Sequence, residues 1–220
     1  MKQHLYVMLS HTPTKMGQFI RFFTGEEYNH VSLCIDGSLK QFVSFARYHI
    51  DVPLAGGYVT EPAARLLSCG NSMPVRIFQI EITSTDAHKL DALFKMADHT
   101  PLIYNSLGAL LSSCHIRCPV PGAYTCLEFA NAILGTPFLT IGKLADALKP
   151  WEIYRGDLFE IIKHGDNHNS IFFEKRGLRK GTLDTVIHFK TLLWRILRLE
   201  RPHDPIAASA LNIIINTKSQ

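Results

Sequence analysis

The 220 residues are enough for one domain with a terminal extension, and a hydrophobic content of 46% provides for a substantial core. The charged fraction of 19%, together with that core, excludes an intrinsically disordered chain. The net charge of +4 is mild and no basic-aromatic motif accompanies it, so the composition argues against a nucleic-acid partner.

Strand and helix signals alternate through the first half of the chain. An apolar run bounded by a Thr/Pro turn predicts a strand at 5–10, and alternation predicts strands at 30–36 and 74–82. A further strand at 40–48 completes a hairpin with the one at 30–36. Apolar residues at helical spacing predict one helix at 14–25, closed by Gly25, and another at 84–99 with Ser84 or Thr85 as its cap.

The second half is predicted to complete an α+β domain. A short helix at 104–114, a helix that begins at Cys126 and a last strand at 158–165 follow the first-half elements. We expect a mixed antiparallel sheet packed against helices, in a domain of residues 1–165. Residues 166–220 are then an extension, with a polar linker at 166–181 and a C-terminal amphipathic helix at 182–201.

The amphipathic helix at 182–201 combines apolar residues near one face with basic residues elsewhere. A helix of this kind can lie on an anionic membrane, which makes peripheral membrane contact one expectation. The residues expected at the lipid are Leu192, Trp194, Ile196, Arg195, Arg198 and Arg201. The alternatives are that the helix packs on its own domain or on a second copy in a homodimer.

The five cysteines fit no disulfide framework, which favours free thiols in a reducing compartment. Near the N-terminus only residues 5–10 form an apolar run, too short for a signal peptide. We therefore expect a cytoplasmic protein, peripheral at the membrane if its tail binds lipid.

Cys126 lies where a helix is predicted to begin. Thr125 and Glu128 form the T-x-x-E pattern of a capping box, directly before an apolar-periodic segment. The N-terminal end of a helix dipole favours a thiolate, as in reactive cysteines. The alternative is a buried structural cysteine.

A cysteine nucleophile needs a base within hydrogen-bonding reach and a group that orients the base. Among eleven histidines His30 stands out, because it precedes a strand that would hold its imidazole in a fixed direction. The alternative is a surface histidine at a strand end.

Short motifs around these two residues resemble the permuted NlpC-type papain-like hydrolases, the YiiX-like group in particular. "EYNHVS", followed by a hairpin, and much later "YTCLE" occur in the order of that group, with histidine on an early strand and cysteine on a late helix. The resemblance covers roughly residues 5–163 and implies a papain-like fold. It implies that His30 and Cys126 form the catalytic pair, flanked by Tyr28 and Tyr124.

The third catalytic position departs from that group. YiiX-like relatives have a glutamate on the strand after the histidine, whereas this strand reads "QFVSFAR", with Ser44 or Phe45 in its place. Ser44 can hydrogen-bond His30, although a neutral group stabilises imidazolium less than a carboxylate does. Glu61 is the nearest acid downstream, if the Gly-Gly pair before it forms a turn that brings it back. Both residues are candidates.

The resemblance implies acyl transfer from an amide, ester or thioester to water through an acyl-enzyme. The backbone N–H of Cys126 would hold the oxyanion together with Tyr28 or Tyr124. No cofactor is required, and the substrate is a small molecule, a peptide or a lipid. The alternative is a non-catalytic module that holds an acyl or peptide ligand in the same groove.

Other motifs indicate no cofactor site. Cys114, His115 and Cys118 lie close together, but zinc needs four ligands and no second paired set occurs, so we expect no metal. No glycine-rich phosphate loop or dinucleotide motif is present in the sequence.

Overall fold

A computed structural model describes residues 3–52, 54–62, 65, 72–112, 116–162, 175–197 and 202–208. The strands are β1 Gln3–Ser10, β2 His30–Cys34, β3 Gln41–Arg47, β4 Gly56–Pro62, β5 Pro74–Ile82, β6 Ile103–Tyr104, β7 Ala123–Tyr124 and β8 Glu152–Asp157. The helices are α1 Lys15–Thr24, α2 Ser84–Asp98, α3 Ser106–Ser112, α4 Cys126–Leu134, α5 Ile141–Leu148, α6 Leu158–Ile161, α7 Gly177–Ile196 and α8 Pro205–Ala208.

The eight strands form one sheet in the order β7-β6-β4-β3-β2-β1-β5-β8. Neighbouring strands are antiparallel except for β6 and β7, which are parallel. The predicted α+β class is therefore confirmed, as is the hairpin of β2 and β3, in which Leu33 pairs with Val43.

Alternation along the strands divides the core between two clusters. One cluster includes Leu33 and Phe45, and it also contains residues of α2 and α4. Phe129 of α4 is fully buried there, with ring centroids 5.3 Å from Phe45 and 6.1 Å from Phe94. Truncating such a ring costs about 3–5 kcal/mol, so this packing holds α4 firmly on the sheet.

The second cluster contains Met8 and Phe42 from the sheet and Leu158 from α6. Asp157 caps α6 by accepting a hydrogen bond from the Phe159 N–H at 2.9 Å. The prediction of a last strand at 158–165 is therefore wrong for 158–162. The last strand is β8, which ends at Asp157, and the helix that Asp157 caps follows it directly. Residues 163–165 lie outside the described residues.

Strand β4 was not predicted, because its Gly-Gly start and Pro end weaken the strand signal. It lies between β3 and β6 and pairs with β3 over its whole length. A Cβ at Gly56 would overlap the Ala46 carbonyl, and a Cβ at Gly57 would approach the Leu102 carbonyl to 2.5 Å. The two glycines thus permit close pairing with both neighbours rather than forming a turn.

Helix ends follow local capping signals. Thr14 accepts a hydrogen bond from the Gly17 N–H at 3.1 Å, and Gly25 closes α1 in the left-handed conformation at φ 67°. In α2 the cap is Thr83, one residue before the predicted candidates, because its hydroxyl accepts from the Asp86 N–H. Helix α5 was not predicted.

The C-terminal helix α7 begins at Gly177 rather than at 182, so the predicted linker is wrong for 177–181. The rest of the linker up to residue 174 lies outside the described residues. Leu192 packs against Val120 and Ala123, so the helix packs on its own domain. Within the described ranges, no helix is long and apolar enough to cross a membrane.

Two of the residues that were expected to contact lipid face the protein instead. Leu192 and Arg195 are each 1% exposed, which corrects that assignment. Arg195 donates hydrogen bonds to the carbonyl oxygens of Gly122 at 2.7 Å and Pro101 at 2.8 Å. Arg198 and Arg201 lie outside the described residues.

Candidate active site

Cys126 is the first residue of α4, and the predicted capping box is confirmed. The Glu128 N–H donates to Thr125 Oγ at 3.1 Å, and the Thr125 N–H donates to Glu128 Oε2 at 2.7 Å. The first N–H groups of a helix have no acceptor within the helix, and the dipole there favours negative charge. Backbone N–H groups at the start of α4 are therefore open to an anionic group beside Cys126.

Asn105 fixes the chain around the start of α4. Its Nδ2 donates to the Cys118 carbonyl at 2.7 Å and to the Glu128 carboxylate at 3.2 Å. Its own N–H donates to the Tyr124 carbonyl at 2.9 Å, two residues before the thiol. Sequence reasoning missed this residue, although an asparagine before a helical segment is itself a capping signal.

His30 begins β2, where its backbone pairs with Ser10 of β1. Its Nε2 lies 2.9 Å from Glu61 Oε2. Burial alone would lower the pKa of His30, but the charge of Glu61 and hydrogen bonds with Cys126 and Glu61 raise it to about 10. The imidazole is thus a strong proton acceptor that touches the thiol and the carboxylate.

Glu61 lies on β4, opposite Phe42 of β3, and is 3% exposed. Ser44 Oγ donates to Glu61 Oε2 at 2.8 Å, and Arg65 Nη2 lies 3.8 Å from Oε1. Burial alone would raise the pKa of Glu61, but the charge of His30 and the hydrogen bond with it act in the opposite direction. With smaller contributions from Arg65 and Ser44, the pKa falls to about 2.

Strand pairing, and not a Gly-Gly turn, carries Glu61 to His30. Of the two residues predicted for the third position, Glu61 contacts the imidazole, and Ser44 contacts Glu61. Phe45 belongs to the apolar core. Arg65 was not foreseen, because nothing in the sequence distinguishes it from a surface arginine.

Asn29, directly before His30, connects this strand end to α1. Its Oδ1 accepts from the Thr12 N–H at 2.9 Å and from Arg21 Nη1 at 2.7 Å. Its backbone N–H donates to the Ser10 carbonyl at 3.1 Å. These bonds fix the backbone from which the His30 side chain projects.

The two predicted tyrosines differ in their surroundings. Tyr124 donates its hydroxyl to Asp204 at 2.9 Å, and its ring lies 5.2 Å from that of Phe45. Tyr28 is buried, which raises its pKa to about 12, with a further contribution from a hydrogen bond with Glu27. A role for either in binding the oxyanion stays a prediction.

A third tyrosine, Tyr104 on β6, lies close to the thiol and was not predicted. It pairs with Tyr124 across the parallel strands, and burial followed by the charge of Cys126 raises its pKa. Its phenol therefore stays protonated at neutral pH.

The other thiols lie in different surroundings. Burial raises the pKa of Cys34 to about 11, as expected for an inert structural cysteine. Cys118 is free and half-buried. Cys69, Cys114 and His115 lie outside the described residues, and within those that are described no cluster of three histidine, cysteine or acidic residues could hold a metal.

The chemical capability of the site follows from three side chains in contact. Cys126 is placed as a nucleophile, His30 as its base and Glu61 as the group that orients the base, which together are the parts that covalent acyl transfer needs. Comparisons with protein-family models, with curated proteins and with solved structures each found no match to this chain.

Proposed function

We propose that the chain is a cysteine hydrolase or acyltransferase that cleaves an amide, ester or thioester bond. The observation that carries the proposal is the buried imidazole of His30, held by Glu61 at 2.9 Å on one nitrogen and hydrogen-bonded to Cys126. A purely structural histidine does not need a charged partner on one side and a helix-start thiol on the other.

In the first step, the thiolate of Cys126, whose proton is held by His30, attacks the substrate carbonyl carbon. A carbon–sulfur bond forms and the carbonyl electron pair moves onto oxygen. When the tetrahedral intermediate collapses, the bond to the leaving group breaks and His30 returns the proton to that group. The product is a thioester on Cys126.

In the second step, water or an acceptor hydroxyl or amine attacks the thioester. His30 removes the attacking proton and then delivers it to the departing sulfur, which restores the thiol. Water gives hydrolysis and another acceptor gives acyl transfer. The cycle uses neither a cofactor nor a redox change.

The oxyanion formed in both steps lies beside the start of α4. The backbone N–H of Cys126 is one donor, because it belongs to the first turn of the helix. We assign Tyr104 as the second donor, because β6 pairs it with Tyr124, two residues before the start of α4. The hydroxyl of Tyr124, by contrast, already donates to Asp204.

Glu61 acts through His30. A carboxylate that stays ionised stabilises the imidazolium formed in each proton transfer. Ser44 and Arg65 are positioning residues, since both contact Glu61 and lower its pKa.

The arrangement of elements supports the papain-like fold that the sequence resembles. The histidine strand β2 precedes the cysteine helix α4 in the chain, and α4 packs on β2 and β3. This order is the permuted one, in which the base comes before the nucleophile.

Acylation by p-nitrophenyl acetate tests the proposal. We expect intact-mass analysis to find one acetyl group on Cys126 and p-nitrophenol release to continue with repeated turnover. Cys126→Ser should lose turnover by at least about a hundredfold, because the less acidic hydroxyl is a far weaker nucleophile at neutral pH. Cys118→Ser is the matched control and should retain it.

The result that contradicts the proposal is turnover by Cys126→Ser equal to that of the native chain. Absence of both the acetyl adduct and turnover in the native chain also contradicts it. That second result favours the alternative, a non-catalytic module that holds an acyl or peptide ligand.

A further inference from the structure

Helix α7 packs on the domain through one side and is apolar on the opposite, exposed side. Its inner side carries the buried residues His188, Leu192 and Arg195. Its outer side, about half a turn away, carries an exposed row that we call the outer stripe, namely Leu183, Val186, Ile187, Leu193, Trp194 and Leu197. A helix on the surface of a globular domain normally has polar residues on its outer side.

The spacing of the outer stripe is helical and continuous. Leu183, Ile187 and Trp194 follow one another at intervals of four and seven residues, and each is between 46% and 58% exposed. Single exposed apolar residues need no explanation, but a contiguous row over four turns marks an interaction surface.

The inner side of α7 is fixed, so the helix cannot rotate to bury the outer stripe. Arg195 donates to the carbonyl oxygens of Gly122 and Pro101, and Leu192 packs in the same region against Val120. A hydrogen bond that involves a charged group is worth about 1.5–3 kcal/mol, so rotating Arg195 out of these two bonds would be costly.

The charges along α7 are predominantly positive, although the Asp51 carboxylate accepts hydrogen bonds from the Arg176 and Gly177 N–H groups at its start. Between residues 175 and 197 there are five exposed cations, Lys175, Arg176, Arg179, Lys180 and Lys190. Asp184 is the one acidic residue in that range, and it forms an ion pair with Arg176 at 3.0 Å. Lys190 lies over the ring of Trp194, with Nζ 5.8 Å from its centroid, in the middle of the apolar row.

We propose that the outer stripe docks on an anionic lipid surface. A row of leucine, isoleucine and tryptophan side chains bordered by cations fits the boundary between acyl chains and acidic headgroups. The helix of 20 residues, about 30 Å long, lies in the plane of that surface. Trp194 sits at headgroup level, and Lys190 extends its ammonium to the phosphates.

Charge also decides against a second copy of the chain as the occupant. Two α7 helices packed through the outer stripe would bring five cations of one protomer against five of the other, with one acid on each. Like charges across an interface oppose association. An acidic membrane attracts basic side chains instead, and each of them raises the affinity about fivefold. This inference stands whether or not Cys126 is catalytic.

The test uses the full chain and vesicles of phosphatidylcholine with or without 30% phosphatidylglycerol. We expect co-sedimentation with the acidic vesicles and weaker binding when salt is raised from 0.1 M to 0.5 M, because salt screens exposed charges. In a Trp151→Phe chain, which retains Trp194 as its single tryptophan, fluorescence should shift to the blue on binding.

Matched variants separate the outer stripe from general surface effects. Leu193→Gln should weaken binding about tenfold or more, because an apolar side chain no longer enters the lipid. The matched control is Ile153→Gln on β8, because Ile153 and Leu193 are each 52% exposed. This variant should bind vesicles as the native chain does. Lys190→Gln should weaken binding about fivefold, whereas Lys143→Gln should leave it unchanged.

Three results would overturn the inference. They are absence of binding by the native chain, equal loss of binding in Leu193→Gln and Ile153→Gln, and a dimer in solution that Leu193→Gln dissociates. If Leu193→Gln unfolds, the fluorescence of the Trp151→Phe chain tests the inference instead. An unchanged emission wavelength of Trp194 after vesicles are added would show that the outer stripe does not enter the lipid.

Discussion

Glu61 Oε2 lies 2.9 Å from His30 Nε2 and accepts a hydrogen bond from Ser44 Oγ at 2.8 Å. One carboxylate oxygen thus receives both the imidazole and a hydroxyl, within a buried site. The consequence is an ion pair that sets the protonation of the base beside Cys126.

The first prediction concerns the charge of Glu61. In Glu61→Gln the pKa of His30, raised to about 10 in the native chain, should fall by several units, because burial remains and the charge that offset it is gone. This pKa is measured by NMR titration of the imidazole signals. The His30 signal is the one that is missing from the spectrum of His30→Gln. An unchanged pKa would mean that Glu61 does not control the base.

The same ion pair predicts how stability depends on pH. A pKa of His30 raised from 6.5 to about 10 contributes stability that is complete below 6.5 and is lost as pH rises through 10. A pKa of Glu61 lowered from 4.5 to about 2 contributes stability that is complete above 4.5 and is lost as pH falls through 2.

Both contributions are therefore complete between pH 4.5 and 6.5. Urea unfolding at pH 5.5 should show Glu61→Gln to be less stable than the native chain by about 3 kcal/mol. At pH 9.5 the difference should be smaller. A difference that grows with pH would contradict the ion pair.

The third prediction separates a paired from an unpaired hydroxyl. Ser44→Ala removes a hydrogen bond to a buried carboxylate and should lower the free energy of unfolding by about 1.5–3 kcal/mol. Ser32 on β2 is the matched control, because it is equally buried and its Oγ has no hydrogen-bond partner within the part of the chain that is described. Ser32→Ala should change stability by less than about 0.5 kcal/mol, and equal losses in chemical denaturation would refute the difference.

Local signals in the sequence predicted the parts of the fold that are determined locally. The capping box at Thr125, the closing Gly25, the apolar run of β1 and the alternation in β5 each correspond to the element observed. These features depend on residues a few positions apart in the chain, so a single sequence is enough to predict them.

The parts that were missed depend on residues far apart in the chain. Glu61 reaches His30 because β4 pairs with β3, a contact between residues 31 positions apart. The lipid-facing assignment of Arg195 was wrong because the side of α7 that packs on the domain carries polar residues beside Leu192, and the sequence does not say which side meets the domain. Arg195 is buried because two backbone carbonyls accept its guanidinium hydrogen bonds.

The fourth prediction tests the helix start at the thiol. Thr125→Ala should cost about 1 kcal/mol of stability and also slow alkylation of Cys126, because the loss of the cap loosens the first turn. Thr140→Ala removes the corresponding cap of α5, whose Oγ accepts from the Lys143 N–H at 3.2 Å. It should cost a similar amount of stability and leave alkylation unchanged; equal slowing in both variants would argue against a special role for the α4 cap.

The last measurement is the rate at which iodoacetamide alkylates each cysteine at pH 7, followed by peptide mass spectrometry. Cys126 is 8% exposed and Cys118 is half-buried, so access alone favours Cys118. The proposed pair predicts instead that Cys126 reacts at least about tenfold faster, because His30 and the helix start favour its thiolate. In His30→Gln that advantage should disappear while Cys118 reacts as before. Slower alkylation of Cys126 than of Cys118 in the native chain, or an unchanged rate in His30→Gln, would contradict the assignment of Cys126 as an activated nucleophile.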